Sequence, residues 1–177
     1  SLGTGTVQGM GIKTAAAIAA VALIALAGCS AAPAPAETST ATPAPDTASV
    51  ERWAGLVAER QFETDDWLED WDDRGCSGLQ IANPACNVTL TSAAFIAQTN
   101  HIVIAGPSDP AARTYLGEVP AEIDDLYAAT IKVTQEADDA ATAWLDAKCA
   151  DGREECVKIA IDLERAIDAT RTKFAAW

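Results

Sequence analysis

The densest group of reactive side chains is an acidic run over residues 63–73, which reads ETDDWLEDWDD. It places seven carboxylates around Trp67 and Trp71. Carboxylates at this density can attract a cationic partner or ligate a cation. Spacings of three and four put one set of them on a common helix face. This predicted binding face consists of Glu63, Asp66, Asp70 and Asp73.

A calcium loop is one chemical interpretation of this run. Residues 70–75 resemble the opening of an EF-hand loop, but Arg74 stands at the fifth position and Ile81 at the twelfth, where a bidentate glutamate is required. We therefore expect no metal. The plainer alternative to a binding face is a solvated helix face whose two tryptophans point into the core, and the spacing of four between Trp67 and Trp71 favours it.

Catalytic groups are not singled out by the sequence. Paired carboxylates can hydrolyse glycosides, but in so acidic a chain nothing selects a particular pair. His101 is the only histidine and falls on the core-facing stripe of a predicted helix. The sequence contains no phosphate loop, dinucleotide-binding fingerprint or zinc-protease motif. We expect no catalytic residues and no cofactor.

Residues 10–29, MGIKTAAAIAAVALIALAGC, have the pattern of an export signal. Lys13 precedes an apolar stretch over residues 14–25, which is shorter than the roughly 20 residues needed to span a bilayer. The ending Leu26-Ala27-Gly28-Cys29 resembles the lipobox of bacterial lipoproteins. The resemblance implies cleavage before Cys29 and lipidation of its thiol. Two or three acyl chains would hold the protein stably on the outer face of the cytoplasmic membrane.

The chain is predicted to have four parts. Residues 1–9 precede the signal, and we expect them to be an artefact or a misassigned start, with Met10 as the natural beginning. Residues 10–28 form the signal peptide. Residues 29–49 are rich in proline, alanine and threonine, which predicts a disordered linker of a composition typical of actinobacteria. Residues 50–177 form one domain, long enough to bury a single core.

The remaining four cysteines lie in two close pairs, Cys76 with Cys86 and Cys149 with Cys156. In an exported protein this pattern predicts disulfides, although four cysteines allow three pairings. We predict pairing within each close pair. Zinc is the alternative, but its cysteine ligands usually stand only two to four residues apart.

Apolar residues three and four positions apart predict two helices in the first half of the domain, at about 48–73 and 89–105, joined by a loop from Cys76 to Cys86. A strand is the alternative for the β-branched residues 102–104. Three large apolar residues of the second helix lie outside its main stripe: Phe95, Ile102 and Val103. Their positions predict that this helix is buried on more than one side.

The second half of the domain is predicted to form an antiparallel helix pair. The third helix begins with Pro120 in its first turn and runs to about Lys148, and the fourth extends from after a turn at 149–153 to the C-terminus. A short helical turn is expected at 110–116. The predicted fold is therefore an all-α, four-helix up-and-down bundle with two local disulfides.

These patterns predict a lipid-anchored, extracytoplasmic binding or accessory module with a protein partner in the cell envelope. A small-ligand carrier with an interhelical pocket and a carboxylate enzyme acting on the cell wall are the alternatives. The net charge of −14 repels phosphate backbones and argues against nucleic-acid binding. An interaction module predicts an exposed apolar patch, a carrier predicts a pocket, and an enzyme predicts carboxylates converging in a cleft.

Overall fold

Four α-helices make up most of residues 47–177, the part of the chain that the computed structural model describes. Short 3-10 turns join them. The helices are α1 (Val50–Asp73), α2 (Pro84–Ala105), α3 (Asp124–Asp146) and α4 (Val157–Phe174). The all-α prediction is confirmed. The predicted signal peptide, Cys29 and all but the end of the predicted linker lie outside the described residues.

Each helix runs antiparallel to the one before it, and α4 packs against α1 to close the bundle. Side-chain hydrogen bonds fix this order because each joins the end of one helix to the facing part of its neighbour. They are Trp67 Nε1 to Thr89 O (2.8 Å), Trp144 Nε1 to Thr91 Oγ1 (3.2 Å), Trp177 Nε1 to Thr130 Oγ1 (2.9 Å) and Trp71 Nε1 to Glu164 Oε1 (3.0 Å). The four-helix up-and-down bundle is therefore confirmed.

The core consists of two apolar clusters. Trp71, Trp144 and Leu163 belong to the cluster at the end of the bundle that holds the disulfides. Trp53 and Phe174 belong to the cluster at the opposite end. All five side chains are almost completely removed from solvent. Burial of this kind stabilises the fold by roughly 1.5–3 kcal/mol for each large apolar side chain.

Polar side chains are also buried inside the bundle. Thr64 and Asn100 are fully buried, and Asn100 Nδ2 donates a hydrogen bond to Thr64 Oγ1 at 3.1 Å. Thr130, Thr134 and Thr170 are fully buried as well. The threonine hydroxyls are satisfied because each donates to the carbonyl oxygen four residues earlier in its own helix.

Two predicted boundaries around α2 are wrong. The helix begins at Pro84 rather than Thr89, because the Asn83 side chain caps it by accepting a hydrogen bond from the Ala85 backbone N–H at 3.0 Å. Pro84 is suited to the first helical position, where no backbone donor is needed. Cys86 consequently lies in the first turn of α2 and not in a loop.

The helical turn predicted at 110–116 is also wrong. A 3-10 turn forms earlier, at Gly106–Ser108, and the chain then folds back so that Leu116 N donates to Pro107 O at 2.8 Å. The Asp109 side chain accepts a hydrogen bond from Ala111 N at 2.9 Å, an Asx turn that replaces helical bonding.

The third helix is shorter than predicted at both ends. A 3-10 turn at Ala121–Ile123 precedes α3, and α3 ends at Asp146. Lys148, predicted in the last helical turn, has a left-handed backbone with φ of 55° and leads out of the helix.

Both disulfides form as the sequence predicts, within each close pair. Cys76–Cys86 joins the end of α1 to the start of α2, and Cys149–Cys156 closes the turn between α3 and α4. The start of α2 contacts the turn between α3 and α4, since Asn87 Nδ2 donates to Cys149 O at 2.9 Å. Gly152 lies against this junction with φ of 73°, and a Cβ there would stand 2.7 Å from the Ile81 carbonyl oxygen. Glycine is required at this position.

Candidate functional site

The outer face of α2 carries large apolar side chains in solvent. Val88, Phe95 and Ile102 are 70%, 56% and 67% exposed. They stand seven residues apart, with exposed Ser92 and Thr99 between them on the same side of the helix. We call these five residues the α2 stripe. The prediction that Phe95 and Ile102 are buried is wrong, whereas Val103 is half-buried.

Packing does not account for the α2 stripe. The core side of the helix is separate and holds Leu90, Ala94, Ala97 and Ile104, all fully buried. A bundle helix usually has charged residues on its outer face. In contrast, α2 contains no Asp, Glu, Lys or Arg. This helix therefore presents an apolar face beyond the one that the core uses.

By length and composition, one helix of the described part of the chain, Pro84–Ser108, is apolar enough to cross a membrane. It is nevertheless an integral element of the bundle. Asn87 and Asn100 are buried on it and donate hydrogen bonds to Cys149 O and Thr64 Oγ1 in neighbouring segments. Its unusual composition thus arises from the outer face as much as from the core face.

A groove of about 400 Å³ runs beside the α2 stripe, between α1 and α2. Ser92 and Ile96 of α2 form one wall, and Phe62 of α1, which is 73% exposed, stands at the groove. The carboxylates that line it are Glu63, Asp66 and Asp70. We call these three residues the acidic edge. The edge supplies negative charge next to an uncharged apolar helix.

The structure brings together three of the four residues of the predicted binding face. Asp73 is separated from them and lines a different groove, between α1 and α4. The tryptophans between these carboxylates point inward, with Trp67 5% and Trp71 2% exposed. Their burial accounts for the spacing of four between Trp67 and Trp71. The carboxylates on the other sides of α1 remain free to contact a partner.

Neighbouring arginines partly neutralise the acidic edge. Arg60 makes a two-pronged ion pair with Glu63, with nitrogen–oxygen distances of 2.6 and 2.9 Å. Arg74 Nε donates to Asp70 Oδ2 at 2.7 Å, and this hydrogen bond holds the pKa of Asp70 below its usual value. Asp66 makes no ion pair within residues 47–177. The edge as a whole stays negative.

The groove between α1 and α4 is larger, about 690 Å³, and holds six carboxylates and two arginines. Its most buried contact is structural. Glu164 accepts hydrogen bonds from Trp71 Nε1 at 3.0 Å and from Gly78 N at 2.9 Å, which ties the loop after α1 to α4. Arg171 pairs with Asp65 at 2.9 Å. Among the described residues no group of His, Cys, Asp or Glu is arranged to hold a metal ion.

His101 lies within the bundle rather than at either groove. It is half-buried, and its Nδ1 is 3.3 Å from Thr134 Oγ1 of α3. All four described cysteines are in disulfides, so none of them offers a free thiol to His101. This environment is that of a structural histidine.

No protein-family model, curated protein or solved structure matches this chain. The described residues define it as an all-α, disulfide-linked four-helix bundle. Its distinguishing surface is the α2 stripe with the acidic edge beside it.

Proposed function

We propose that this protein is a lipid-anchored, extracytoplasmic interaction module that binds a partner protein of the cell envelope through the α2 stripe. The observation that carries the proposal is the exposure of Val88, Phe95 and Ile102 on an uncharged helix face. Large exposed apolar patches on soluble domains are typical of interaction sites. The lipobox ending at Cys29 and the two disulfides support an anchored location outside the cytoplasm.

The chemistry of the surface indicates the kind of partner. Exposed apolar side chains every seven residues suit a helix that packs alongside α2, because this spacing returns to the same face after two turns. The acidic edge lies on the α1 side of that surface. The partner that fits is a helical segment with an apolar stripe and lysine or arginine along one border.

A protein suits this surface better than the membrane itself. Interfacial helices that lie on bacterial lipid usually carry Lys or Arg on their polar face, which attract anionic headgroups. The α2 helix has neither residue, and the neighbouring Glu63, Asp66 and Asp70 repel anionic lipid. The net charge of −14 acts in the same direction.

Replacing Phe95 with aspartate tests the proposal. In cells that express the lipidated protein, chemical cross-linking and mass spectrometry are expected to capture an envelope protein with the unaltered chain. We expect Phe95→Asp to reduce this capture roughly tenfold or more, because a carboxylate would be desolvated in an apolar interface. Phe95 is 56% exposed, so the variant should keep its helical circular dichroism spectrum.

The matched control is Ala169→Asp, which adds the same charge at an exposed position of α4. It is expected to capture the partner as well as the unaltered protein does. Cys29→Ala should reduce capture in cells by removing the anchor, while the affinity of the purified partner for the chain stays the same. Equal capture by Phe95→Asp and Ala169→Asp would contradict the proposal.

A further inference from the structure

A third cavity of the bundle differs from the two acidic grooves in both charge and lining. It has a volume of about 420 Å³ and lies between α1, the end of α2 and the loop that follows α2. This volume is within the range of sites for small molecules. We call it the arginine pocket, after the residues that define it: Leu56, Val103, Tyr115, Leu116, Arg52 and Arg113.

The two arginines have no carboxylate partner in the part of the chain that the structure describes. Arg52 and Arg113 make no ion pair within residues 47–177, and no Asp or Glu lines the arginine pocket. Arg60, Arg74 and Arg171 are each paired with a nearby carboxylate, and the unpaired Arg165 lines the acidic groove between α1 and α4. In a chain of net charge −14, two uncompensated guanidinium groups produce a local positive potential beside an apolar pocket.

Hydrogen bonds within the protein hold the loop wall of the arginine pocket in place. Leu116 N donates to Pro107 O at 2.8 Å, and Pro107 itself is buried. Tyr127 OH bonds Ile104 O at 2.8 Å and Ser108 Oγ at 2.9 Å, which fixes the start of the loop. Burial raises the pKa of Tyr127 above that of a free tyrosine. Pockets with walls fixed in this way are typical of ligand sites.

We propose that the arginine pocket binds an anionic amphiphile, with the acyl chain among Leu56, Val103 and Leu116 and the head group on Arg52 and Arg113. Guanidinium groups bind carboxylates and phosphates through paired hydrogen bonds, and they are suited to both. A free fatty acid and a membrane phospholipid share this chemistry. The pocket shares Ile102 with the α2 stripe, but Phe95 does not line it, so a change at Phe95 affects the proposed partner surface alone.

Calorimetric titration of the purified full chain carrying Cys29→Ala tests the inference. The probes are dodecanoate and dodecyl phosphate below their micelle concentrations, with dodecyltrimethylammonium as a cation of the same chain length. We expect both anions to bind at one site and the cation not to bind. Replacing Arg52 and Arg113 together with glutamine should weaken anion binding roughly tenfold or more.

The control variant removes two other positive charges, with glutamine in place of Arg165 and Lys173 of α4, neither of which lines the arginine pocket. It should bind the anions within about twofold of the unaltered affinity. Failure of both anions to bind, or equal weakening by the two double variants, would overturn the inference. Phe95→Asp should leave amphiphile binding unchanged, so loss of the partner surface and loss of the pocket are distinguishable.

The same variants identify the source of the ligand. Vesicles of phosphatidylcholine and phosphatidylglycerol that bind the Cys29→Ala chain, but not the same chain with Arg52 and Arg113 replaced by glutamine, would support a bilayer phospholipid as the ligand. Binding of dodecanoate without binding of the vesicles would support a free fatty acid.

Discussion

Removal of both disulfides is expected to lower the free energy of unfolding by about 5 kcal/mol, since each closes a short loop worth roughly 2–3 kcal/mol in chain entropy. The bridges join residues separated by 10 and 7 positions. Their combined contribution is comparable to the whole stability of many domains. Urea unfolding followed by circular dichroism, with and without a thiol reductant, measures the difference.

The pairwise variants Cys76→Ser with Cys86→Ser and Cys149→Ser with Cys156→Ser provide the internal control for this prediction. Each is expected to lose about half of the total effect. If complete reduction, checked by counting free thiols, changes the unfolding free energy by less than about 1 kcal/mol, the argument is contradicted. A large loss would mean that the domain is stable only where thiols are oxidised, which supports the proposed extracytoplasmic location.

Truncation of Trp144 to alanine should destabilise the domain by about 3–5 kcal/mol, the range for large aromatic side chains in a core. The side chain is fully buried, and its Nε1 donates to Thr91 Oγ1 of α2 at 3.2 Å. The variant leaves a cavity and also removes a hydrogen bond between α3 and α2. Urea unfolding of the unaltered chain and the variant measures this effect.

Phe62→Ala is the matched comparison, because Phe62 is also aromatic but is 73% exposed. Its truncation should change the unfolding free energy by no more than about 0.5 kcal/mol. A cost as large as that of Trp144→Ala would show that Phe62 is covered in solution, contrary to its exposure in the structure.

The helices that the sequence predicts most accurately are those with charge on one face only. Along α4, Leu163, Ile167 and Phe174 alternate with charged residues, and all three are fully buried. The disulfide pairing was predictable for a similar reason, because cysteines close in sequence meet when a short turn joins two helices. In these places the local pattern alone determines the contact.

The orientation of α2 could not be predicted in the same way. Both its core face and its outer face are uncharged, so the sequence pattern does not indicate which large side chains the neighbouring helices cover. Phe95 and Ile102 are exposed because α1 and α3 pack on the other sides of the helix. The positions of Phe95, Ile102 and Val103 predict burial on more than one side, but the absence of charge throughout residues 84–105 is equally compatible with an exposed apolar face.

The arginine pocket depends on contacts that no local pattern encodes. Arg52 and Arg113 are distant in sequence, and the loop between Pro107 and Leu116 brings them to one cavity. The sequence pattern predicts a helical turn at 110–116 in place of this loop. For the acidic run, the spacing in the sequence places Glu63, Asp66 and Asp70 on one face, and the structure has all three on the groove between α1 and α2. Asp73 instead lines the groove between α1 and α4.

Photo-cross-linking from the α2 stripe in cells shows whether this surface contacts an envelope protein. Benzoylphenylalanine is placed at residue 95 of the chain expressed in cells, and separately at residue 169 on α4, which is also exposed. The proposed docking surface predicts a light-dependent adduct with one envelope protein from residue 95 and none from residue 169. The same adduct from both positions, or none from residue 95, would contradict it.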